Sequence, residues 1–334
     1  MSTEPRSDAV ASLRFLDVSG QPLRVPDFFI VGHQKCGTTA LYQMLREHPQ
    51  ICMSAVKEPR YFVPELFPPG RELNTLAGYL SLFAGASPHQ LVGDASPQYI
   101  RSPTAPQAIA DMQPDARVVA VLREPASFLR SFHLQMLHRD LETERSLRKA
   151  LALEPARRAG KRIPKKCAVN PEPLLYSDHV RYVEQLRRFH AAFKPEQVLV
   201  LIYEDFRADN AATVRALLRF LALDDTVPVA TAETKPLKAV RVQPLMRVAD
   251  RARIARYDPA KAGALGRTVN ALTPKPLRSP AVRAKWRSVV FKRPDPPDAR
   301  LMAELRRRFK PEVEALSEYL GRDMVGEWGY EHIH

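Results

Sequence analysis

The sequence predicts an α/β protein: a parallel sheet flanked by helices, within one domain running from about residue 26 to residue 330. Short apolar runs recur along the chain, at FFIV (28–31), LVGD (91–94), VVAVL (118–122) and VLVLIY (198–203). Stretches long enough for helices, with apolar residues on one face, lie between them. Strands separated by helices join as right-handed crossovers, which leaves the strands parallel and covered on both faces. With 334 residues, 45% of them hydrophobic, the chain can bury a large core.

Each element follows in order. The first 25 residues are polar and predict a flexible N-terminal segment. FFIV runs into Gly32 as a buried strand. Thr38–His48 reads as a helix with Leu41, Met44, Leu45 and His48 on one face, ended by Pro49. ICM (51–53) is a brief strand, LVGD another, and Ala105–Met112 a short helix. After VVAVL, Pro125 opens a helix with Phe128, Phe132, Met136 and Leu137 at helical spacing. Residues 139–175 are charged and rich in proline, contain KRIPKK, and predict a variable insertion or flexible lid. A helix over Asp178–Phe193, the strand VLVLIY and a helix over Asn210–Leu221 complete the alternation.

Composition excludes several classes. The apolar content is too high for disorder, and no run approaches the ~20 apolar residues of a membrane span. The N-terminus has no basic head followed by an apolar run, which predicts no secretory signal. Cys36, Cys52 and Cys167 form no Cys-x-x-Cys spacing. They predict neither a disulfide framework nor a metal site, and a reducing, cytoplasmic setting. The formal charge is +14, from 51 Lys and Arg against 37 Asp and Glu. Residues 235–293 hold 16 basic and 2 acidic residues, so the rest of the chain is balanced. That pattern excludes a uniformly basic nucleic-acid binder and predicts one localised element facing anions or a membrane.

The first chemical signal is PDFFIVGHQKCGTTAL (26–41). A buried strand enters Gly32-His33-Gln34-Lys35-Cys36-Gly37-Thr38-Thr39 and a helix starts at once. Such a P-loop-like turn aims backbone N–H groups and the positive end of a helix at one point, which suits a phosphate. Gly32 and Gly37 let the backbone approach an anion. Thr38 and Thr39 offer hydroxyls, and Lys35 offers a full charge. A Walker A loop needs Gly-Lys-Ser/Thr in that order, whereas here Lys35 precedes the second glycine.

The pattern Pro-x-Phe-x-Ile-x-Gly-x-x-Lys-x-Gly-Thr-Thr resembles the 5′-phosphosulfate loop of sulfotransferases that use 3′-phosphoadenosine 5′-phosphosulfate (PAPS), in their carbohydrate (heparan-type) and bacterial branch. The resemblance implies cofactor binding by Lys35, Cys36, Gly37, Thr38 and Thr39. A second segment, Leu122–Ser131, matches the family's Arg at a strand end followed by Pro two residues on and Ser eight residues on. It implies that Arg123 and Ser131 hold the 3′-phosphate. A guanidinium fork suits a phosphate and a hydroxyl adds a donor. Lys57-Glu58-Pro59-Arg60-Tyr61-Phe62 resembles the family's Lys-Glu-x-x-Phe-Phe, where a catalytic Glu stands. Gly93–Tyr99 resembles its Glu/Asp-x-Ser-Pro-x-Tyr element, with Ala95 where some heparan-type enzymes carry Lys. LVLIYEDF (199–206), FLAL (220–223) and Leu301–Tyr330 resemble its late strand, a helix end and its C-terminal helix pair. The late glycine-rich cofactor loop of the heparan branch is not recognisable, and Arg241 or Lys238 substitutes for it.

The implied reaction is sulfuryl transfer to a hydroxyl of a carbohydrate, glycolipid or natural-product acceptor, with no metal. Glu58 is the general base and Lys35 stabilises the leaving charge. The plain alternative for Glu58 is a salt-bridged loop carboxylate, since nearby cations lower a carboxyl pKa. Asp94 reads as an acceptor-orienting group or a strand cap, His33 as a cofactor or acceptor contact or a spacer, and His133 as packing. Cys36 lies beside Lys35 at a helix N-terminus, a position that favours a thiolate, but family members vary there and it is assigned no chemistry. Tyr203-Glu204-Asp205 mimics a Walker B end and supports the alternative class, a P-loop kinase or NTPase. The 235–293 segment has two readings. It is a solvated cover over the cofactor, or a lid docking on anionic membrane through Arg247, Arg251 and Arg253 beside a modest apolar face.

Overall fold

Five short strands form one parallel sheet, and they are apolar because both of its faces are covered. In the computed structural model the described residues are 23–67, 75–228 and 294–333, with the short stretches 239–240, 289 and 291–292. The predicted flexible start at 1–25 lies almost wholly outside them, and so does most of the basic 235–293 segment.

Strand β1 (Phe28–Gly32) is buried along its whole length. Helix α1 (Thr38–Arg46) follows and buries Leu41, Met44 and Leu45, the predicted face. Strand β2 (Ile51–Met53), helix α2 (Leu76–Leu80), strand β3 (Leu91–Asp94) and helix α3 (Ala105–Met112) come next. Strand β4 (Arg117–Leu122) leads into helix α4 (Pro125–His138). Helices α5 (Leu147–Ala152), α6 (Glu154–Arg158) and α7 (Tyr182–Ala192) precede strand β5 (Val198–Ile202). Helices α8 (Tyr203–Ala208) and α9 (Asn210–Phe220) follow it. A two-residue antiparallel pair joins β6 (Ala239–Val240) to β7 (Phe291–Lys292), and helices α10 (Ala299–Leu320) and α11 (Met324–Glu327) end the chain.

The strand order β2-β3-β1-β4-β5 puts β1 at the centre. The chain crosses to one side of β1 for β2 and β3, then to the other for β4 and β5. That reversal puts the topological switch point at the carboxyl ends of β1 and β4, where open α/β sheets bind ligands. Gly32 lies opposite Val121 in the ladder, so the turns after β1 and β4 begin at one level.

Several boundaries differ from the sequence reading by one to four residues, two of them with a visible cause. Tyr203 starts α8 instead of ending β5, because Glu204 and Asp205 place acidic side chains in a helix first turn. The helix expected from Asp178 begins at Tyr182, after a 3₁₀ turn over Tyr176–Val180. Gln185 Nε2 holds the carbonyls of Asp178 and His179, at 3.0 and 3.4 Å, which favours the break.

The described residues fall into two compact units. The first draws on Met1–Phe128, Ser177–Thr234 and Glu304–His334 and carries the sheet; the second draws on Leu129–Tyr176 and Lys235–Ala303. In the second unit, the charged run read as an insertion or flexible lid is folded around a buried ion pair. Arg157 Nη1 and Nη2 lie 2.8 and 2.9 Å from the Glu142 carboxylate, and Tyr176 donates to it at 3.0 Å. Burial acts to raise the Glu142 pKa, but the Arg157 contacts bring it below the ordinary value. Charge in a sequence does not distinguish a solvated run from one that folds around its own pair.

Gly93 marks the tightest point of the sheet. A Cβ there would stand 2.3 Å from the Phe28 ring and 2.8 Å from the Met53 sulfur. Gly93→Ala is therefore expected to destabilise the protein by roughly 1–3 kcal/mol in denaturant unfolding. Unchanged stability would contradict this packing.

Candidate functional site

The turn after β1 is shaped by three residues with positive φ. Gly32 (φ 137°) packs so closely that a Cβ would meet the Val121 backbone at 2.7 Å. Lys35 adopts the left-handed region (φ 71°), uncommon for a residue with a side chain. Gly37 (φ 81°) caps α1, where a Cβ would meet the Phe206 ring at 3.0 Å. Among the described residues no side chain caps α1. Its first N–H groups and the positive end of its dipole are thus available to an anion. Thr38 is buried, Thr39 exposed and Lys35 half-buried beside them.

Arg123, just past β4, reaches into this turn. Its Nη1 donates to the Lys35 carbonyl at 2.9 Å, and its guanidinium lies over the Tyr203 ring at 4.5 Å. Tyr182 donates to the Arg123 carbonyl at 2.8 Å. Arg123 Nε is buried and has no hydrogen-bond partner among the described residues. A half-buried guanidinium with an unused donor beside a helix start is chemically suited to an anion. Ser131 lies on α4 in the second unit, where its buried Oγ has no hydrogen-bond partner among the described residues. Arg241 and Lys238 lie outside the described residues.

Two residues of the turn are buried and uncharged. Cys36 is fully buried, and burial pushes its thiol up to about 12 despite the nearby charges of Arg123 and Lys35. It is a protonated core residue and not a favoured thiolate, because the cost of burying charge exceeds the pull of those cations. His33 is buried, with its pKa lowered by desolvation to about 3. Both amide hydrogens of Gln185 point to backbone carbonyls, so its Oε1 faces His33 Nε2 at 2.8 Å as an acceptor. His33 is thus neutral, protonated on Nε2, and a brace of the turn.

Glu58 sits on the loop after β2. Glu58 (φ 61°) and Arg60 (φ 62°) both occupy the left-handed region, so this short loop carries backbone strain at two non-glycine residues. Lys57 Nζ reaches Glu58 Oε1 at 3.0 Å, Arg60 pairs with Oε2, and Gln98 Nε2 donates to Oε2 at 2.9 Å. Burial acts to raise the Glu58 pKa, but Lys57, Arg60 and Gln98 together bring it down to about 2. The salt-bridged state foreseen as the alternative for Glu58 is the one observed. The Lys57 ammonium is itself disfavoured by burial, though Glu58 opposes that shift.

The element after β3 holds this loop. Asp94 is fully buried and accepts from Tyr79 at 2.9 Å, Tyr99 at 2.8 Å and Ser96 at 2.8 Å. Ser96 Oγ accepts from the Arg60 amide at 3.1 Å. Burial pushes Asp94 up to about 6 against those three donors. The acceptor-orienting reading of Asp94 gives way to a structural one, since its oxygens are already engaged. Arg60, Gln98 and Tyr203 lay within segments the sequence singled out, without a role. Tyr182 gave no signal at all.

The Walker-B-like segment serves the C-terminus. Glu204 accepts from Trp328 Nε1 at 3.2 Å, and Asp205 takes both terminal nitrogens of Arg322 at 2.8 and 3.0 Å. Likewise, His133 packs in the second unit, its Nε2 2.8 Å from the Glu144 carbonyl.

Comparison with known proteins decides the family. A model of the sulfotransferase domain matches residues 25–244. The chain belongs to the sulfotransferase family. It is 26% identical over 209 residues to human bifunctional heparan sulfate N-deacetylase/N-sulfotransferase 3, covering 60% of this chain and 22% of that protein. It is 33% identical over 129 residues to the membrane-associated sulfotransferase kil1 of Dictyostelium discoideum, covering 37% and 26%. The chain thus spans about a quarter of the length of these curated relatives. Among solved structures, a sulfotransferase from Alicyclobacillus acidocaldarius superposes with a TM-score of 0.55 at 28% identity, over 77% of this chain and all of that one. The five-stranded parallel sheet flanked by helices agrees with the predicted fold class. Family membership sets the kinase alternative aside.

The Glu58 geometry predicts a pH dependence. Its folded pKa is depressed, from 4.5 to about 2, so its ion pairs stabilise the fold fully above the unfolded value and fade as pH falls toward 2. The stability difference between wild type and Glu58→Gln should grow between pH 2 and about 5 and then level off, as read by denaturant unfolding. A difference independent of pH over that range would contradict the pairing.

Proposed function

We propose that this chain transfers a sulfuryl group from PAPS to a hydroxyl of a carbohydrate-type acceptor. One arrangement carries the reading: where the strand order reverses, α1 starts without a side-chain cap among the described residues, just after Lys35, and Arg123 donates to the Lys35 carbonyl while its buried Nε has no hydrogen-bond partner among those residues. That donor set fits a ligand bearing two phosphate groups. The names of the relatives, heparan sulfate and carbohydrate sulfotransferases, support a sugar acceptor. When bound, the donor supplies an activated sulfuryl group on its 5′ phosphate.

The residues divide the work by charge and position. The first amides of α1, from Thr38 onward, meet the 5′ end, with Thr38 and Thr39 as hydroxyl donors. Lys35 offsets negative charge developing on the leaving oxygen, where a preorganised cation counts most. Arg123, held by Tyr203 and the Lys35 carbonyl, offers its remaining donors to the 3′-phosphate. Glu58 receives the acceptor proton. Oε2 already takes two donors and Oε1 only Lys57, so Oε1 has room for a hydroxyl. A hydroxyl docking there displaces the Lys57 ammonium, and the loss of that charge raises the basicity of the carboxylate.

Lys35→Ala and Arg123→Ala should each weaken binding of adenosine 3′,5′-bisphosphate by roughly 1.5–3 kcal/mol in calorimetry, the scale of a charge-assisted contact. Unchanged binding in both would remove the basis of the assignment. Glu58→Gln should keep that affinity while turnover falls by about 10²–10⁴, measured by mass spectrometry of sulfated products from a sugar panel. Wild-type turnover in this variant would make Glu58 structural.

A further inference from the structure

We infer that the C-terminal segment 322–330 is a clamp that sets the position of Arg123, with Trp328 and Tyr330 as positioning residues for donor binding. The inference rests on the donor site proposed above and adds residues to which the sequence assigned no role.

Arg123 is stacked on Tyr203, and the segment grips the residue that follows each of the two in the chain. On one side the guanidinium lies over the Tyr203 ring at 4.5 Å. The next residue, Glu204, accepts from Trp328 Nε1 at 3.2 Å, and Asp205 takes the Arg322 fork. On the other side Glu124, which follows Arg123 in the chain, accepts the Tyr330 hydroxyl at 2.6 Å. Glu124 also accepts the Ala126 and Ser127 amides at 3.1 and 2.7 Å, fixing the bend between β4 and α4.

The segment is itself rigid. Asp323 caps α11 by accepting the Gly326 amide at 2.8 Å, and Arg322 pairs with Glu327 as well as Asp205. Trp328 is 5% exposed and Tyr330 fully buried. Arg306 approaches Glu124 at 3.6 Å from α10. Glu204 is half-buried, and burial raises its pKa while the charge of Arg123 opposes that shift. The carboxylate held by Trp328 therefore lies within the field of the cation it helps to place. A guanidinium stacked on one ring and fixed at one carbonyl keeps its direction only if ring and bend stay still, and these contacts hold both.

Titration calorimetry with adenosine 3′,5′-bisphosphate on the full chain tests the clamp. Tyr330→Phe, which removes one hydroxyl, and Trp328→Phe, which removes one N–H, should each weaken binding about three- to ten-fold. The donor KM should rise in parallel while kcat and the acceptor KM hold. Leu316→Ala, in the core of α10, serves as the stability control: a lowered melting temperature with wild-type affinity separates positioning from general destabilisation. Affinity lost in Leu316→Ala as in the two clamp variants would overturn the inference. Weak binding by Arg123→Ala with wild-type binding by Tyr330→Phe and Trp328→Phe would overturn the clamp alone. Wild-type binding by Arg123→Ala would overturn the donor reading and the clamp with it. If Trp328→Phe does not fold, Tyr330→Phe decides.

Discussion

The parallel register between β1 and β4 fixes where the chemistry can sit. Gly32 pairs with Val121, so the turn that leaves β1 and the turn that leaves β4 start side by side. From there Arg123 can donate to the carbonyl of Lys35, although 88 residues separate them. That bond supports the left-handed backbone of Lys35, which in turn points the loop toward the uncapped start of α1. A one-residue slip between the strands would move Arg123 out of line with the turn and send its neighbours to the opposite face. The core of β1, closed to water on both sides, makes such a slip costly.

Charge is arranged around this point in two different ways. At the β1 turn Lys35 and Arg123 stand near the start of α1, with Cys36 and His33 kept neutral by burial. On the Glu58 loop opposite charges are already matched, and the carboxylate sits in a strained backbone with three donors. The first arrangement is suited to holding anions. The second is suited to releasing a base only when a hydroxyl replaces one of its partners. Asp94 lies one shell further in, and its three hydroxyl donors make it a prop for the loop.

Much of this was legible in the sequence, for physical reasons. Buried parallel strands are apolar throughout, so FFIV, LVGD and VVAVL announced themselves. The glycines at 32 and 37 stood where close approach and positive φ require them. Arg123 and Lys35 were paired through a motif, and the structure adds the hydrogen bond between them. What the sequence could not convey was burial. The lysine beside Cys36 suggested a thiolate, but desolvation outweighs it. Glu142 and Arg157 lay in a run read as a variable insertion or flexible lid, and they form a buried pair. Trp328 and Tyr330 lay in the Leu301–Tyr330 segment that resembles the family's C-terminal helix pair, but without a role, because their partners Glu204 and Glu124 lie more than 100 residues away in the chain.

The central claim is that the switch point at the carboxyl ends of β1 and β4 reads two phosphate groups, one at the α1 N-terminus and one at Arg123. The most direct test compares adenosine 3′,5′-bisphosphate, adenosine 5′-monophosphate and ATP with magnesium in one calorimetric series on the wild-type chain. Loss of the 3′-phosphate should weaken binding about ten-fold or more, as expected when a charge-assisted contact worth about 1.4 kcal/mol is removed. Magnesium should not improve binding of the bisphosphate. Equal affinity for the two adenosine phosphates, or a clear preference for ATP with magnesium, would contradict the account.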